Sequence, residues 1–510
     1  MSLAQNLREM ERAREAYWQR YPGTSPTKLR WRALTVRHAF HVLPGESILE
    51  LGAGSGVWTR ELSSALRGEN PITASIFNED LYDRAVADVP RNTSFVLLDD
   101  LRNLPEESFD YIVGTTILCH SLYPENLKTL YKLLKPGGQL LFFEANHWNP
   151  QVLVKNAIPP IGRWAGQPEC QVPMRKYKLL RIASQQGFSH VDIIPYDIVH
   201  PRTPRRLVMR LQSMAFLFEH MPLVRELCGT LYVWATKPGR IEGRRHVSLA
   251  THPQLFGTTS IVLPCHNEAE NIGQMIDDLV ALYDPYIHEI VVVDDNSDDE
   301  TAQVVQEVAR REPRVKLVRR TPPNGVGLAL RDGYAAASGQ YILSMDSDFL
   351  HIVPELRDLF DAVAEGHDGA LGSRFSHDSI MINYPFMKIL ANRSFHVLAN
   401  LFLPCRVRDA SNNLKLYKAP MLKNLDIQAD DFAANAETGL KPILAGYDVA
   451  EVPISWINRT IDMGSSTFGI AKVARSYASV LVRLIRNPRE TKKALVGDTP
   501  PDTALPRAGG

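Results

Sequence analysis

Apolar and polar positions along this chain alternate between two rhythms. Short β-branched and aliphatic runs predict buried strands, and between them apolar residues recur at three- and four-residue spacing, as helices require. The alternation runs from about Ser47 to Lys237 and again from about Ser260 to Ile454, so two α/β units on largely parallel sheets are expected. Between them the stretch from Pro238, PGRIEGRRHVSLATHPQLFGTT, has no period and the Pro, Gly, Arg and His of a linker. The expected organisation is a first domain at 1–237, a linker at 238–258, a second domain at 259–486 and a tail at 487–510. The tail is rich in Pro, Gly and charge and should be disordered.

Composition narrows the function. With 45% hydrophobic and 22% charged residues among 510, the chain is an ordinary globular one of several domains. Lys plus Arg and Asp plus Glu both total 57, so no global positive field exists to hold nucleic acid, and an anionic partner must be gripped locally. Five widely spaced cysteines without a CxxC argue against a disulfide framework or a zinc site and fit a reducing cytoplasm. The N-terminal stretch is charged and amphipathic, without a signal-peptide core, and nowhere do about eighteen apolar residues run uninterrupted. A cytoplasmic chain without a spanning helix is therefore expected.

In the first half, Ser47-Ile48-Leu49-Glu50-Leu51-Gly52-Ala53-Gly54-Ser55-Gly56 reads as a buried strand breaking into glycines, where backbone can approach a ligand closely. The carboxylate of Glu50 suits a cationic ligand better than a pyrophosphate, which favours a sulfonium cofactor over a dinucleotide. Downstream, FVLLDDLRNLPEESFDYIVG places Asp99 and Asp100 at a strand end, and LYKLLKPGGQLLFFE reads as a helix stopped by Pro136-Gly137-Gly138 before another strand. His120 and His147 follow predicted strands, where acceptor-side loops open, and either could serve as a general base.

In this order the segments resemble class I S-adenosylmethionine-dependent methyltransferases, a Rossmann-like fold, over residues 46–145. The resemblance implies that Glu50, Gly52, Gly54 and Gly56 lie against the methionine and ribose of the cofactor, that Asp100 accepts from the adenine amino group, and that Leu101 offers its backbone N–H. One departure stands out. Where the family has an acidic residue ending the second strand, this chain reads ITASIFNED, with Ile76 or Phe77 at that place, so Asn78 or Glu79 must substitute in holding the ribose.

In the second half, a strand from Thr259 ends at Pro264-Cys265-His266-Asn267-Glu268, a second ends at Asp294-Asp295, and a third, YILS, runs into Met345-Asp346-Ser347-Asp348. Acids at successive strand ends gather on one rim of a parallel sheet, where ligands bind. Two carboxylates one residue apart can share a hard divalent cation with pyrophosphate oxygens.

The series LPCHNEAENI, VVVDDNSDDET, NGVGLALRDGYAAASG, SMDSD and LGSRF resembles the family two, GT-A-fold inverting glycosyltransferases, and among them the dolichyl- or polyprenyl-phosphate hexose synthases, from about Thr259 to Phe468. The resemblance implies a nucleotide sugar as donor, Pro264, His266 and Glu268 lining the nucleotide pocket, Asp295 on the base or ribose, and Asp346 and Asp348 holding Mg²⁺ or Mn²⁺. It also implies Arg374, Lys415 and Arg459 as phosphate contacts, with Asp409 and Glu437 as candidate bases. Lys415 stands where relatives have Arg, and Thr467 where they have Lys.

Two segments bear on the membrane. MINYPFMKILANRSFHVLANLFLP, residues 381–404, and GIAKVARSYASVLVRLIR, residues 469–486, are apolar and basic, and predict peripheral association with a membrane surface, where a polyprenyl phosphate acceptor would lie. The whole reads as a bifunctional enzyme of methyl and hexosyl transfer. Its rival is a glycosyltransferase acting on a soluble hydroxyl acceptor, with a methyltransferase-like scaffold. The oligomeric state has no signature.

Overall fold

The computed structural model describes residues 3–116, 123–164, 173, 175–239, 247–457 and 470–486. The chain divides into two compact units, 1–246 and 247–510.

The first unit contains β1 (Ile48–Leu51), β2 (Ile72–Ile76), β3 (Thr93–Leu97), β4 (Phe109–Thr115), β5 (Leu134–Ala145), β6 (Ser189–Tyr196) and β7 (Thr230–Thr236), in the sheet order β3-β2-β1-β4-β5-β7-β6. The first five pair in parallel, and β7 runs antiparallel between β5 and β6. The central β1 and β4 are buried at every position, as expected for parallel strands covered by helices on both faces. Strand order reverses between them, which makes the space above their C-terminal ends the natural ligand position. The helix expected before β5 ends at Leu133, and the strand begins at once, so Pro136 to Gly138 lie within it rather than before it.

The second unit contains β8 (Thr259–Cys265), β9 (Ile287–Asp294), β10 (Val315–Arg319), β11 (Tyr341–Ser344), β12 (Gly369–Ser373), β13 (Met381–Ile382), β14 (Lys415–Lys418), β15 (Val449–Pro453) and β16 (Trp456–Ile457). Its main sheet has the order β10-β9-β8-β11-β14-β12-β15, with β14 antiparallel to both neighbours, while β13 and β16 form a separate ribbon. The order reverses between β8 and β11. The helix Val326–Ala336 packs tightly on this sheet: a Cβ at Gly333 would stand 2.5 Å from Val262 Cγ1 and 3.0 Å from Val293 Cγ2, so only glycine fits without displacement. Both units are thus the α/β folds expected from the pattern.

The seam differs from expectation. Within the stretch read as linker, Leu249 and Leu255 are buried, Leu249 N–H donates to Leu282 O at 2.7 Å, and the N–H groups of Thr251 and His252 both donate to Tyr286 Oη at 2.8 Å. Residues 247–258 therefore belong to the second unit. Local periodicity misses them because their partners lie about thirty residues on, in the helix and turn after β8.

Among the described residues no helix is long and apolar enough to cross a membrane. The helix Phe386–Phe402 buries Ile389, Phe395, His396 and Ala399 but leaves Met387, Leu390, Val397, Leu398, Leu401 and Phe402 exposed. The helix Ile470–Arg486 contacts it and exposes Val482 and Ile485. The tail expected to be disordered lies outside the described residues.

Candidate active sites of the two units

In the first unit the glycine turn follows from β1. Gly52, Gly54 and Gly56 all take left-handed conformations, at φ of 67°, 60° and 74°, which residues with a Cβ adopt only with strain. Glu50 in β1 is buried, with the Thr59 hydroxyl and the Arg14 guanidinium as its polar neighbours. Burial pushes this carboxyl up to about 7 from 4.5. Because the folded state holds that proton more tightly, the group's stabilising contribution is complete below pH 4.5 and is lost as pH rises through 7. Glu50→Gln should therefore gain stability relative to the wild type between pH 5 and 7.5, by up to about 3 kcal/mol. A constant gap between the two melting temperatures over that range would refute the assignment.

The N-terminal helix Leu3–Arg20 lies on this turn. Glu11 Oε1 accepts from Gly54 N–H at 3.1 Å, and Oε2 accepts from Phe77 N–H at 3.0 Å and Asn78 Nδ2 at 2.7 Å. Arg14 donates to the carbonyls of Gly52 and Thr115, at the ends of β1 and β4, and Glu15 accepts from Ser55 Oγ at 2.7 Å. Glu11 and Arg14 were not foreseen from the sequence: charges spread around a short helix read as a solvated surface. The burial of Asn78 and the exposure of Glu79 divide the two expected substitutes: Asn78 contacts Glu11, whereas Glu79 faces solvent in the first turn of the following helix.

Asp100 reaches the rim at the start of the turn Leu101–Asn103, but its carboxylate is held by Arg102 Nε at 2.9 Å and Nη2 at 2.5 Å, and this pairing lowers its pKa. An adenine amino group would have to share it. Leu101 is buried. His147 is half-buried, with Nδ1 unpartnered, beside Trp148; His120 lies outside the described residues.

Near the end of β4 is a second group the sequence concealed. Lys28 Nζ donates to both oxygens of Asp197 at 2.9 and 2.8 Å, Arg32 donates to Thr115 Oγ1, and Arg32 stacks against Trp18 and Phe143. Glu219 accepts from Asp197 N–H at 2.9 Å, and burial pushes its carboxyl up to about 8.

In the second unit the ends of β8, β9 and β11 bring together Pro264, His266, Asp295, Asp346 and Asp348. Ser347, between the two aspartates, is buried and donates to Pro264 O at 3.3 Å, which ties the turn to β8. Asp346 Oδ1 accepts from Asn413 Nδ2 at 2.8 Å, while Asn413 Oδ1 accepts from Ser344 Oγ at 2.8 Å, so Asn413 fixes the orientation of the first aspartate. His266 is exposed, its Nδ1 3.0 Å from Asp295 O. Glu268 accepts from Asn271 Nδ2 at 2.7 Å. Asp295 accepts from Gly325 N–H at 2.6 Å and from Arg320, so its carboxylate organises the loop before the helix Val326–Ala336.

Four residues stand differently from expectation. Asp409 is fully buried and forms a bidentate pair with Arg374, Nε to Oδ2 at 2.6 Å and Nη2 to Oδ1 at 2.9 Å. That guanidinium holds the Asp409 carboxyl well below the usual range, and the pair engages Nε and Nη2 of Arg374. Glu437 is buried, accepting from Gln428 N–H at 2.7 Å and Arg483 Nη2 at 2.6 Å, which ties it to the C-terminal helix. Lys415 is buried and donates to Asn435 O at 3.0 Å and Thr438 Oγ1 at 2.8 Å; burial lowers its pKa to about 7. Arg459 and Thr467 lie outside the described residues.

Residues 260–426 match the family description "Glycosyl transferase family 2", and residues 25–192 match "Methyltransferase domain". The polyprenol monophosphomannose synthase of Mycolicibacterium smegmatis is 30% identical over 230 residues, covering 43% of this chain and 82% of that protein. The chain belongs to glycosyl transferase family 2. Its first unit is methyltransferase-like. The glycosyltransferase unit is also 33% identical over 150 residues to a dolichol-phosphate mannosyltransferase of Pyrococcus furiosus, covering 29% of this chain and 42% of that protein. A solved structure of glucosyl-3-phosphoglycerate synthase from Mycobacterium tuberculosis with uridine diphosphate aligns at a TM-score of 0.38 and 21% identity, covering 49% of this chain and 86% of that one. The chain is an enzyme of the transferase class, joining a glycosyltransferase related to polyprenol-phosphate mannose synthases to a methyltransferase-like domain.

Proposed function

We propose that the glycosyltransferase unit transfers a hexose, with inversion, from a nucleotide sugar to polyprenyl phosphate or a related lipid phosphate, and that the first unit transfers a methyl group from S-adenosylmethionine. The observation that carries the acceptor assignment is the state of the two candidate bases. Asp409 is paired to Arg374 and Glu437 to Arg483, an engagement that argues against either as the base a hydroxyl acceptor would need. A phosphate nucleophile is already ionised at neutral pH and needs no base. The exposed apolar face of Phe386–Phe402 supports the same reading, since it suits a lipid surface.

The donor side rests on Asp346 and Asp348. Among the described residues no three His, Cys, Asp or Glu side chains cluster as a complete metal site. Two carboxylates one residue apart fit an ion that completes its shell with diphosphate oxygens, and Mg²⁺ or Mn²⁺ there would neutralise charge on the departing nucleoside diphosphate. Asn413 pre-sets the Asp346 carboxylate for this, and Asp295 shapes the adjacent loop.

For the first unit, the buried carboxyl of Glu50 beside the glycine turn and the unpartnered Asn78 Oδ1 fit a ligand that brings donors and positive charge, as an adenosyl sulfonium does. The function is tested by incubating the enzyme with a panel of nucleotide sugars, Mn²⁺ and a short polyprenyl phosphate in vesicles with one third anionic lipid. A glycosylated lipid phosphate is expected, with the protein floating with the vesicles at low salt. Leu401→Glu with Phe402→Glu should abolish flotation while retaining hydrolysis of the nucleotide sugar. Transfer only to soluble hydroxyl compounds would overturn the acceptor assignment.

A further inference from the structure

We propose that Glu11, on the N-terminal helix Leu3–Arg20, is the ribose-binding carboxylate of the first unit's cofactor site. The inference rests on the reading of that unit as a binder of an adenosyl cofactor. On doubly wound sheets a nucleoside cofactor lies across the ends of the first two strands, with a glycine turn after the first and a carboxylate by the second that accepts from ribose hydroxyls. Here the glycine turn follows β1, but β2 runs from Ile76 into Phe77 without an acid.

The missing carboxylate arrives from outside the sheet. Glu11 Oε2 sits 3.0 Å from Phe77 N and 2.7 Å from Asn78 Nδ2, directly past the end of β2, and Oε1 sits 3.1 Å from Gly54 N in the glycine turn. One side chain, fully buried, thus bridges the two strand ends between which a ribose would lie. A carboxylate offers about four acceptor positions, and these three donors leave capacity on Oε1.

A second observation points to a ligand rather than to a mere clamp for the helix. Asn78 Oδ1, on the residue that Glu11 holds, is a buried acceptor with no partner. Buried acceptors without donors are costly, and a ligand carrying hydroxyl and ammonium groups would satisfy them.

The opposite reading is that Glu11 and Arg14 fill the site and keep the cofactor out, and it predicts the opposite sign. The full chain and its Glu11→Gln variant are titrated calorimetrically with S-adenosylhomocysteine and with its 2′-deoxyadenosyl analogue. The wild type should bind the parent ligand and lose roughly tenfold or more in affinity for the analogue, while Glu11→Gln weakens the parent by a similar factor and scarcely distinguishes the two. A purely structural role would not erase the hydroxyl discrimination. Unchanged or tighter binding by Glu11→Gln, or full discrimination retained, overturns the assignment, and tighter binding identifies the helix as a plug. If Glu11→Gln does not fold, Glu11→Asp decides by the same comparison, because its shorter reach should reduce discrimination. No binding of either ligand by the wild type overturns the cofactor reading itself, and is distinguished from failure of the Glu11 assignment by that wild-type measurement.

Discussion

Asp346→Asn and Asp348→Asn should each lower sugar transfer about 10²- to 10³-fold, the scale expected when a group that stabilises charge developing in the transition state is removed. The loss should come without unfolding. An asparagine at 346 keeps an oxygen for Asn413 Nδ2, and both positions are only half-buried at a strand end, so the melting temperature should hold within a degree or two. Initial rates with nucleotide sugar at saturating Mn²⁺, beside a calorimetric titration of Mn²⁺ with nucleoside diphosphate, read both parts. Full rates in either variant would remove the pair from the chemistry. A matching Asn413→Ala variant should show a smaller loss, since it disturbs only the orientation of Asp346.

Breaking the Arg374–Asp409 pair should have the largest effect on stability. Asp409→Asn leaves a buried guanidinium without its counter-charge, ringed by Phe375, Tyr384 and Trp456, and removing one partner of such a pair costs about 3–5 kcal/mol. For a unit of this size that is a fall of about 10 °C in the melting temperature of the glycosyltransferase transition. If Asp409 also acts as a general base, the rate measured at a temperature where the variant is still folded should fall as well, whereas a purely structural role leaves that rate nearly unchanged. Calorimetric scans and rates on one preparation therefore decide between the two roles. Glu437→Gln should destabilise as well, by releasing Arg483 on the C-terminal helix.

What could be read from the sequence was what is local. Strand, turn and acid follow one another within a few residues at Cys265, Asp295 and Asp346, so the rim of the second sheet was visible in the order of residues alone. Glycines at 52, 54 and 56 announced the first turn for the same reason. The contacts that escaped are long-range. Glu11 meets Phe77 across 66 residues and Arg374 meets Asp409 across 35, and no pattern within either segment marks the partner. Charge was also misleading. Glu11, Arg14, Lys28 and Asp197 are buried, whereas charged residues in an unaligned sequence are reasonably taken as solvated. Lys415 looked like a phosphate contact because it replaces an Arg in a motif, yet it occupies the paired strand opposite Ser344 and spends its ammonium group on the neighbouring helix.

The docking of residues 247–258 onto the glycosyltransferase unit decides how the two units can be studied apart. A fragment begun at Thr259, where the motif starts, would strip away Leu249 and Leu255 and leave Tyr286 Oη without two of its donors. Such a fragment invites aggregation, and its lack of turnover would reflect the cut rather than the chemistry. Beginning the fragment at Val247 keeps that strap, and lets the glycosyltransferase unit be assayed with the methyltransferase-like unit absent.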